Sequence, residues 1–158
     1  MGMYTGLRAK VKIKEEFAYL ADKIANQDCS WDELVEEYPF IAEFADKERA
    51  DFVPSMAPAY MPDEWGEYNV NEFDLNTRVW NMVFAIKNYE KEIDAFMYDI
   101  LTVIAEKVYH MYYHYEEWDI EKQYTIEDGE VKFVRYLDVY TREHRHTLKD
   151  NVYKGWGY

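Results

Sequence analysis

Apolar and polar positions alternate along the first strand-like run of the chain. Leu7, Ala9, Val11 and Ile13 interleave with Arg8, Lys10, Lys12 and Lys14, the period of two that a half-buried β-strand requires. The outer face of this run is basic, and lysines also suit a sheet edge. The spacing then changes. Phe17, Leu20, Ala21 and Ile24 fall on one helical stripe, which Asn26-Gln27-Asp28 interrupts. Ser30 with Glu33 makes a capping box for a second helix carrying Trp31, Leu34, Val35 and Tyr38. Pro39 ends or restarts it, and Phe40, Ile41 and Phe44 predict a further short helical piece. Residues 51–76 read as irregular, because Pro54, Pro58 and Pro62 interrupt any regular element.

The centre of the pattern is Thr77 to Glu106. Trp80, Met82, Phe84 and Ile86 share one face of a strand, and Val79, Val83 and Ala85 share the other. Two apolar faces mark a central strand covered on at least one side. Asn88 is placed to cap a helix, with Glu90 and Glu92 in its first turn, where carboxylates suit the positive end of the helix dipole. Ile93, Phe96, Met97, Ile100, Leu101, Ile104 and Val108 recur at helical spacing, with Lys91, Asp99, Thr102 and Glu106 opposite. Tyr109–Trp118 then reads as a tyrosine-rich strand. Asp128-Gly129 predicts a hairpin that sets Ile126 against Val131, Tyr124 against Phe133 and Thr125 against Lys132.

This order predicts an α+β fold: a mainly antiparallel sheet of four to five strands with helices on one face. The preferred topology is a ferredoxin-like variant with an added C-terminal hairpin. Residues 1–140 are expected to form one domain, and 141–158 a polar C-terminal tail.

Charge changes the picture. The 158 residues carry a formal net charge of -14, unevenly spread. Residues 1–14 hold four basic groups and no acid, whereas residues 15–74 hold 17 acids against 3 bases. Such a field attracts basic partners and repels nucleic acid and anionic membrane. No run approaches the ~20 apolar residues of a membrane span. Because the sequence opens on a strand-like segment, no secretory leader is expected, and the single cysteine, Cys29, fits a reducing cytosol.

The candidate chemistry is sparse. His110 and His114 share a face and, with Glu116 or Glu117 nearby, are weak candidates for a divalent metal; a surface or hydrogen-bonded pair is the plainer reading. His144 and His146 sit among Arg142, Arg145 and Lys149, where an anion could bind. Cys29 stands at a predicted helix start, where a thiol pKa falls. Carboxylate pairs such as Glu15-Glu16 and Glu36-Glu37 read as a solvated face. There is no Gly-rich phosphate loop, nucleophile elbow or zinc-protease motif, so neither a cofactor nor a catalytic residue is expected. Sheet aromatics could stack on bases, but the field has the wrong sign and no basic stripe interleaves with them, so direct nucleic-acid binding is not expected.

An excess of aromatics remains: 16 tyrosines, 5 tryptophans and 8 phenylalanines. The core readily explains Trp80, Phe84, Phe96 and Phe133. It explains less easily Tyr60, Trp65, Tyr68, Tyr109, Tyr112, Tyr113, Tyr115, Trp118, Tyr153, Trp156 and Tyr158, residue types favoured at interfaces. Met3-Tyr4-Thr5-Gly6-Leu7, Met61-Pro62-Asp63-Glu64-Trp65 and Tyr115-Glu116-Glu117-Trp118 together resemble small proteins encoded by phages and conjugative elements of Gram-positive bacteria. The resemblance implies a cytosolic bacterial host and a counter-defence setting.

The leading expectation is a non-enzymatic interaction protein whose acidic surface meets the basic surface of a partner protein, itself nucleic-acid-binding. Its carboxylates would sit where phosphates bind, in the style of anti-CRISPR and anti-restriction inhibitors. Asp32, Glu33, Glu36, Glu37, Glu43, Asp63, Glu64 and Trp65 are the expected contacts. The alternatives are a small-ligand or metal-binding module near His110, Tyr112 and His114, and a homo-oligomer paired through an edge strand.

Overall fold

Tyr4–Ile13 (β1) pairs antiparallel with Val79–Lys87 (β3) on one side and with Ala105–Tyr115 (β4) on the other. The computed structural model describes residues 3–145. Val70–Asp74 (β2) forms one edge beside β3. Ile120–Glu127 (β5), Glu130–Asp138 (β6) and the two-residue His144–Arg145 (β7) extend the sheet beyond β4. The full order is β2-β3-β1-β4-β5-β6-β7, antiparallel throughout. Its first four strands follow the ferredoxin-like order, and the β5–β6 hairpin is added on β4.

The hairpin forms as its sequence requires. Asp128 and Gly129 both take positive φ, 54° and 75°, as a tight two-residue turn demands. All three expected cross-strand pairs are present.

The sheet has seven strands rather than four to five. β2 lies inside the stretch expected to be irregular. Only Phe73 of its five residues is buried, so an edge strand with one inward side chain leaves no alternation to detect. β7 and the turn before it return residues 141–145 to β6, across the boundary expected at residue 140.

The helix layer is more broken than its periodicity suggests. Ala18–Asn26 (α1) forms as expected, burying Leu20, Ala21 and Ile24. The capping box of Ser30 and Glu33 also forms, but the helix it opens is a single tight turn, Trp31–Leu34. In such a turn residues three apart eclipse, so Trp31 and Leu34 point inward together, and Trp31 Nε1 donates to the Val53 carbonyl at 2.8 Å. Pro39–Ile41 and Ala42–Ala45 (α2) follow as short pieces.

The helix expected to begin at Asn88 and continue past Ile104 is shorter. Glu92–Ala95 (α3) widens into a π-helical turn at Phe96–Leu101, and Thr102–Ile104 (α4) ends it. Lys91 takes the cap position with φ 57°, while Asn88 Oδ1 still accepts the Ile93 N–H at 2.9 Å. At Ala105 the chain is captured by β1: Lys14 N–H bonds to the Ile104 carbonyl at 2.8 Å and Ile13 pairs with Ala105. Glu106 and Val108 therefore belong to β4.

Leu7, Ala9, Val11 and Ile13 of β1 face the helices with Trp80, Met82, Phe84 and Ile86 of β3, all buried. Phe96 is the hub of this core. Its ring lies 5.8 Å from Trp31, 5.9 Å from Phe44, 6.2 Å from Trp80 and 6.4 Å from Phe84. Side chains alternate along a strand, so Gly6, Arg8, Lys10 and Lys12 face the other way. Among the described residues that second face is covered at its Gly6 end only. A Cβ on Gly6 would stand 2.4 Å from Met61 Sδ and 2.9 Å from the Trp65 ring, so the proline-rich loop lies directly on the backbone there. Among the described residues no helix is long and apolar enough to cross a membrane.

Candidate functional site

The expected contact residues divide between two places. Asp32, Glu33, Glu36 and Glu37 are exposed on the segment that joins α1 to α2, and Glu43 is exposed within α2. The Ser30 backbone N–H and hydroxyl, bonded to Glu33 at 2.8 and 3.1 Å, hold its carboxyl below the usual range. Within this acidic segment stands an aromatic trio. Phe17 lies 6.1 Å from Tyr38 and 5.5 Å from Phe40, and Tyr38 and Phe40 are 6.5 Å apart. Phe40 is exposed, Phe17 and Tyr38 half-buried, and Tyr19 nearby is exposed. Glu15 and Glu16 flank the trio on one side in the chain, Glu36 and Glu37 on the other. Partial burial, then the Glu37 charge, raises the Tyr38 phenol.

Asp63, Glu64 and Trp65 are elsewhere, on the covered end of the second sheet face. Trp65 is only 4% exposed and is not available as a partner contact. Its ring meets His114, and its Nε1 donates to Glu121, which is fully buried. The Arg142 guanidinium pairs with both Glu121 and Glu64, and it lies over the Tyr112 ring. A carboxylate this deep is tolerable only with such partners. The arrangement borders a cavity of about 400 Å3 lined by residues including Tyr60, Glu64, His114, Trp118, Tyr140 and Arg142.

His114 is buried at 3% exposure, with Nδ1 2.8 Å from the Ile120 carbonyl. Burial pulls its pKa down to about 4, against the smaller upward pull of that hydrogen bond. At neutral pH the ring is therefore uncharged. Nδ1–H donates to the carbonyl, and Nε2 remains an acceptor on the cavity wall.

The remaining candidates change character in the fold. His110 and His114 do share a face of β4, but Tyr112 stands between them. Four residues of strand span roughly 13 Å, too far for one ion. Among the described residues no group of three potential ligands comes together. Partial burial and the Glu33 charge raise the Cys29 thiol, opposite to what a nucleophile needs. Arg142 is committed to carboxylates, so it cannot build an anion site with His144; His146 and Lys149 lie outside the described residues, as do Tyr153, Trp156 and Tyr158. Of the other aromatics, Tyr60, Tyr68 and Tyr109 are exposed, whereas Tyr113 packs towards the helices and its hydroxyl donates to Asp94 at 3.1 Å.

Sequence reasoning missed Glu121, and it gave Arg142 to an anion site and Glu92 to an exposed helix start rather than to their buried partners. Glu92 is fully buried, and its carboxylate accepts the Arg49 N–H at 3.0 Å and the Glu90 N–H at 3.1 Å, tying the loop after α2 to α3. No protein-family model matches the chain, and neither does any of the curated proteins or solved structures compared with it.

Proposed function

We propose that the protein is a non-enzymatic interaction protein whose acidic helix layer docks on a basic surface of a partner protein. The observation that carries this reading is the aromatic trio of exposed Phe40 and half-buried Phe17 and Tyr38, bounded by the exposed Glu15, Glu16, Glu36 and Glu37. Aromatic area at the centre with charge at the rim is the anatomy of a protein interface, and the carboxylates choose a basic partner and speed the encounter. In the setting that the resemblance suggests, that partner is a host nucleic-acid-binding protein, and the carboxylates occupy its phosphate sites. Asp63 and Glu64 are left out of this surface.

Affinity capture from bacterial lysate, with the wild type beside a Glu36→Lys/Glu37→Lys variant, tests the reading. The wild type is expected to retain a basic protein that added duplex DNA releases, and to lose it as salt rises. Retention of the same protein by the charge-reversed variant counts against the proposal.

A second reading, a small-ligand module, is favoured by the cavity beside His114. The acceptor Nε2 and the Arg142–Glu64 pair would orient a hydrogen-bond donor there. A thermal-shift screen with small polar cations tests it; no shift with any of them removes this reading.

A further inference from the structure

The uncovered half of the second sheet face carries cations and rings in alternation. The register places Arg8 beside Tyr112 and Lys10 beside His110. The Arg8 guanidinium sits 5.8 Å from the Tyr112 ring centre, Lys10 Nζ 5.3 Å and Lys107 Nζ 4.9 Å from Tyr109. His110 and Tyr112 are stacked at 5.5 Å. The basic residues of β1 and the tyrosines of β4 are a hundred positions apart in sequence, and only the pairing of these strands interleaves them. The stripe thought to be missing is therefore present.

Its charge is the unexpected part. The chain has 32 acidic residues against 18 basic ones, so most cations should find a carboxylate. Lys12, Arg78 and Arg142 do. Arg8, Lys10 and Lys107 have no carboxylate ion-pair partner among the described residues, although they stand side by side. Burial, then the charges of Arg8 and Lys10, holds the His110 pKa below its ordinary value, so the charges that act on this ring are cationic even within an acidic protein. Asn81 faces the same way, paired with Lys10 across β1 and β3, and its side-chain amide makes no hydrogen bond among the described residues. β2 places two carboxylates on this face, Glu72 beside Asn81 and Asp74 beside Val79, at its far edge from β4.

We propose that this open face binds single-stranded nucleic acid, with phosphates on Arg8, Lys10 and Lys107 and bases stacked against Tyr109, His110 and Tyr112. Stacking platforms set between backbone-neutralising cations are what a single strand requires. An acidic protein would satisfy the cations but has no use for ring faces. Duplex DNA would bury its bases away from them. Asn81 supplies an amide for base edges. This face lies across the sheet from the acidic helix layer, so the proposal stands or falls independently of the partner reading above.

The test is fluorescence anisotropy with a labelled oligothymidylate of about twelve nucleotides, against a duplex of equal length. The wild type is expected to bind the single strand in preference, with a log–log salt slope of about -2 for three cations. Arg8→Glu/Lys10→Glu should weaken binding at least roughly tenfold and Tyr112→Ala by several fold. Both variants should keep the wild-type circular dichroism spectrum, and Glu36→Lys/Glu37→Lys should not weaken binding. Three outcomes overturn the proposal: no binding at low salt, equal preference for duplex, or undiminished binding by a folded Arg8→Glu/Lys10→Glu variant. Sedimentation of the protein alone checks the competing occupant. Self-association that Arg8→Glu/Lys10→Glu abolishes would assign the face to a second copy instead.

Discussion

The two faces of this sheet are built on different principles. Towards the helices, β1 and β3 present apolar side chains apart from the buried Thr5, and four aromatic rings converge on Phe96. On the other side the same two strands carry glycine, cations and an amide beside Val79, Val83 and Ala85. One end is closed by Met61 and Trp65 over the buried Glu121 and its half-buried partner Arg142, and among the described residues the rest is open. Burial on the first face is non-directional and tolerates broken helices, because any element that brings an apolar side chain will serve. Burial on the second depends on individual polar partners, each of which must be present. Stability should therefore reside mainly in the first face, and pH sensitivity and binding in the second.

The largest test of that contrast is Phe96→Ala. Removing a fully buried ring that touches four others should cost about 3–5 kcal/mol of unfolding free energy in urea. Arg8→Ala on the open face should change stability by no more than about 0.5 kcal/mol. Comparable losses in the two variants would show that the open face is structural after all.

A middle-sized effect belongs to the closed end of the second face. His114 is neutral when folded, with a pKa of about 4, and free to protonate near 6.5 when unfolded. The unfolded chain thus binds the extra proton first as pH falls. The contribution is complete above about pH 6.5, declines between 6.5 and 4, and changes no further below, for a total of order 3 kcal/mol. His114→Asn keeps a donor for the Ile120 carbonyl but cannot titrate. Urea unfolding at several pH values should show the wild type losing stability across this window more steeply than the variant, since the carboxylates titrate alike in both. Parallel curves would remove His114 as the source.

The legibility of the sequence follows the same division. The apolar face was readable because its signal is dense: Leu7 to Ile13 alternates strictly, Trp80 to Ile86 is apolar on nearly every position, as a central strand requires, and Asp128-Gly129 specifies its own turn. Helix lengths were not, because β1 competes for the chain at Ala105 and helix periodicity does not register that competition. The polar cluster left no local trace. Glu121 follows Ile120 and both are buried, which breaks the alternation, and Arg142 lies where the sequence suggests a polar tail. The basic and aromatic stripe was a different omission. Its two halves were each visible, and the expected strand order already put β1 beside β4; the register that joins Arg8 to Tyr112 needed the structure.

Gly6 marks where the two faces meet, and its substitution should have a smaller effect than Phe96→Ala or the full titration of His114. Its own backbone belongs to the central strand, while the space its side chain would fill is taken by Met61, Trp65 and the Phe84 carbonyl, the last at 2.8 Å. A methyl group cannot enter without displacing something, and the Phe84 carbonyl belongs to the adjacent strand. The loop should therefore give way first. Gly6→Ala is expected to cost about 1–3 kcal/mol through overpacking. The helix-side core should be unaffected, since Leu7 and Phe84 keep their positions. A lifted loop would admit water to His114, so its pKa, followed by NMR, should rise from about 4 towards its ordinary value. Gly6→Ala/Met61→Ala should recover part of the stability, because the nearest clash is with Met61 Sδ. If the single variant loses stability while the His114 pKa stays put, the sheet itself has yielded at Phe84, and the loop is a firmer part of the fold than the contrast between faces allows.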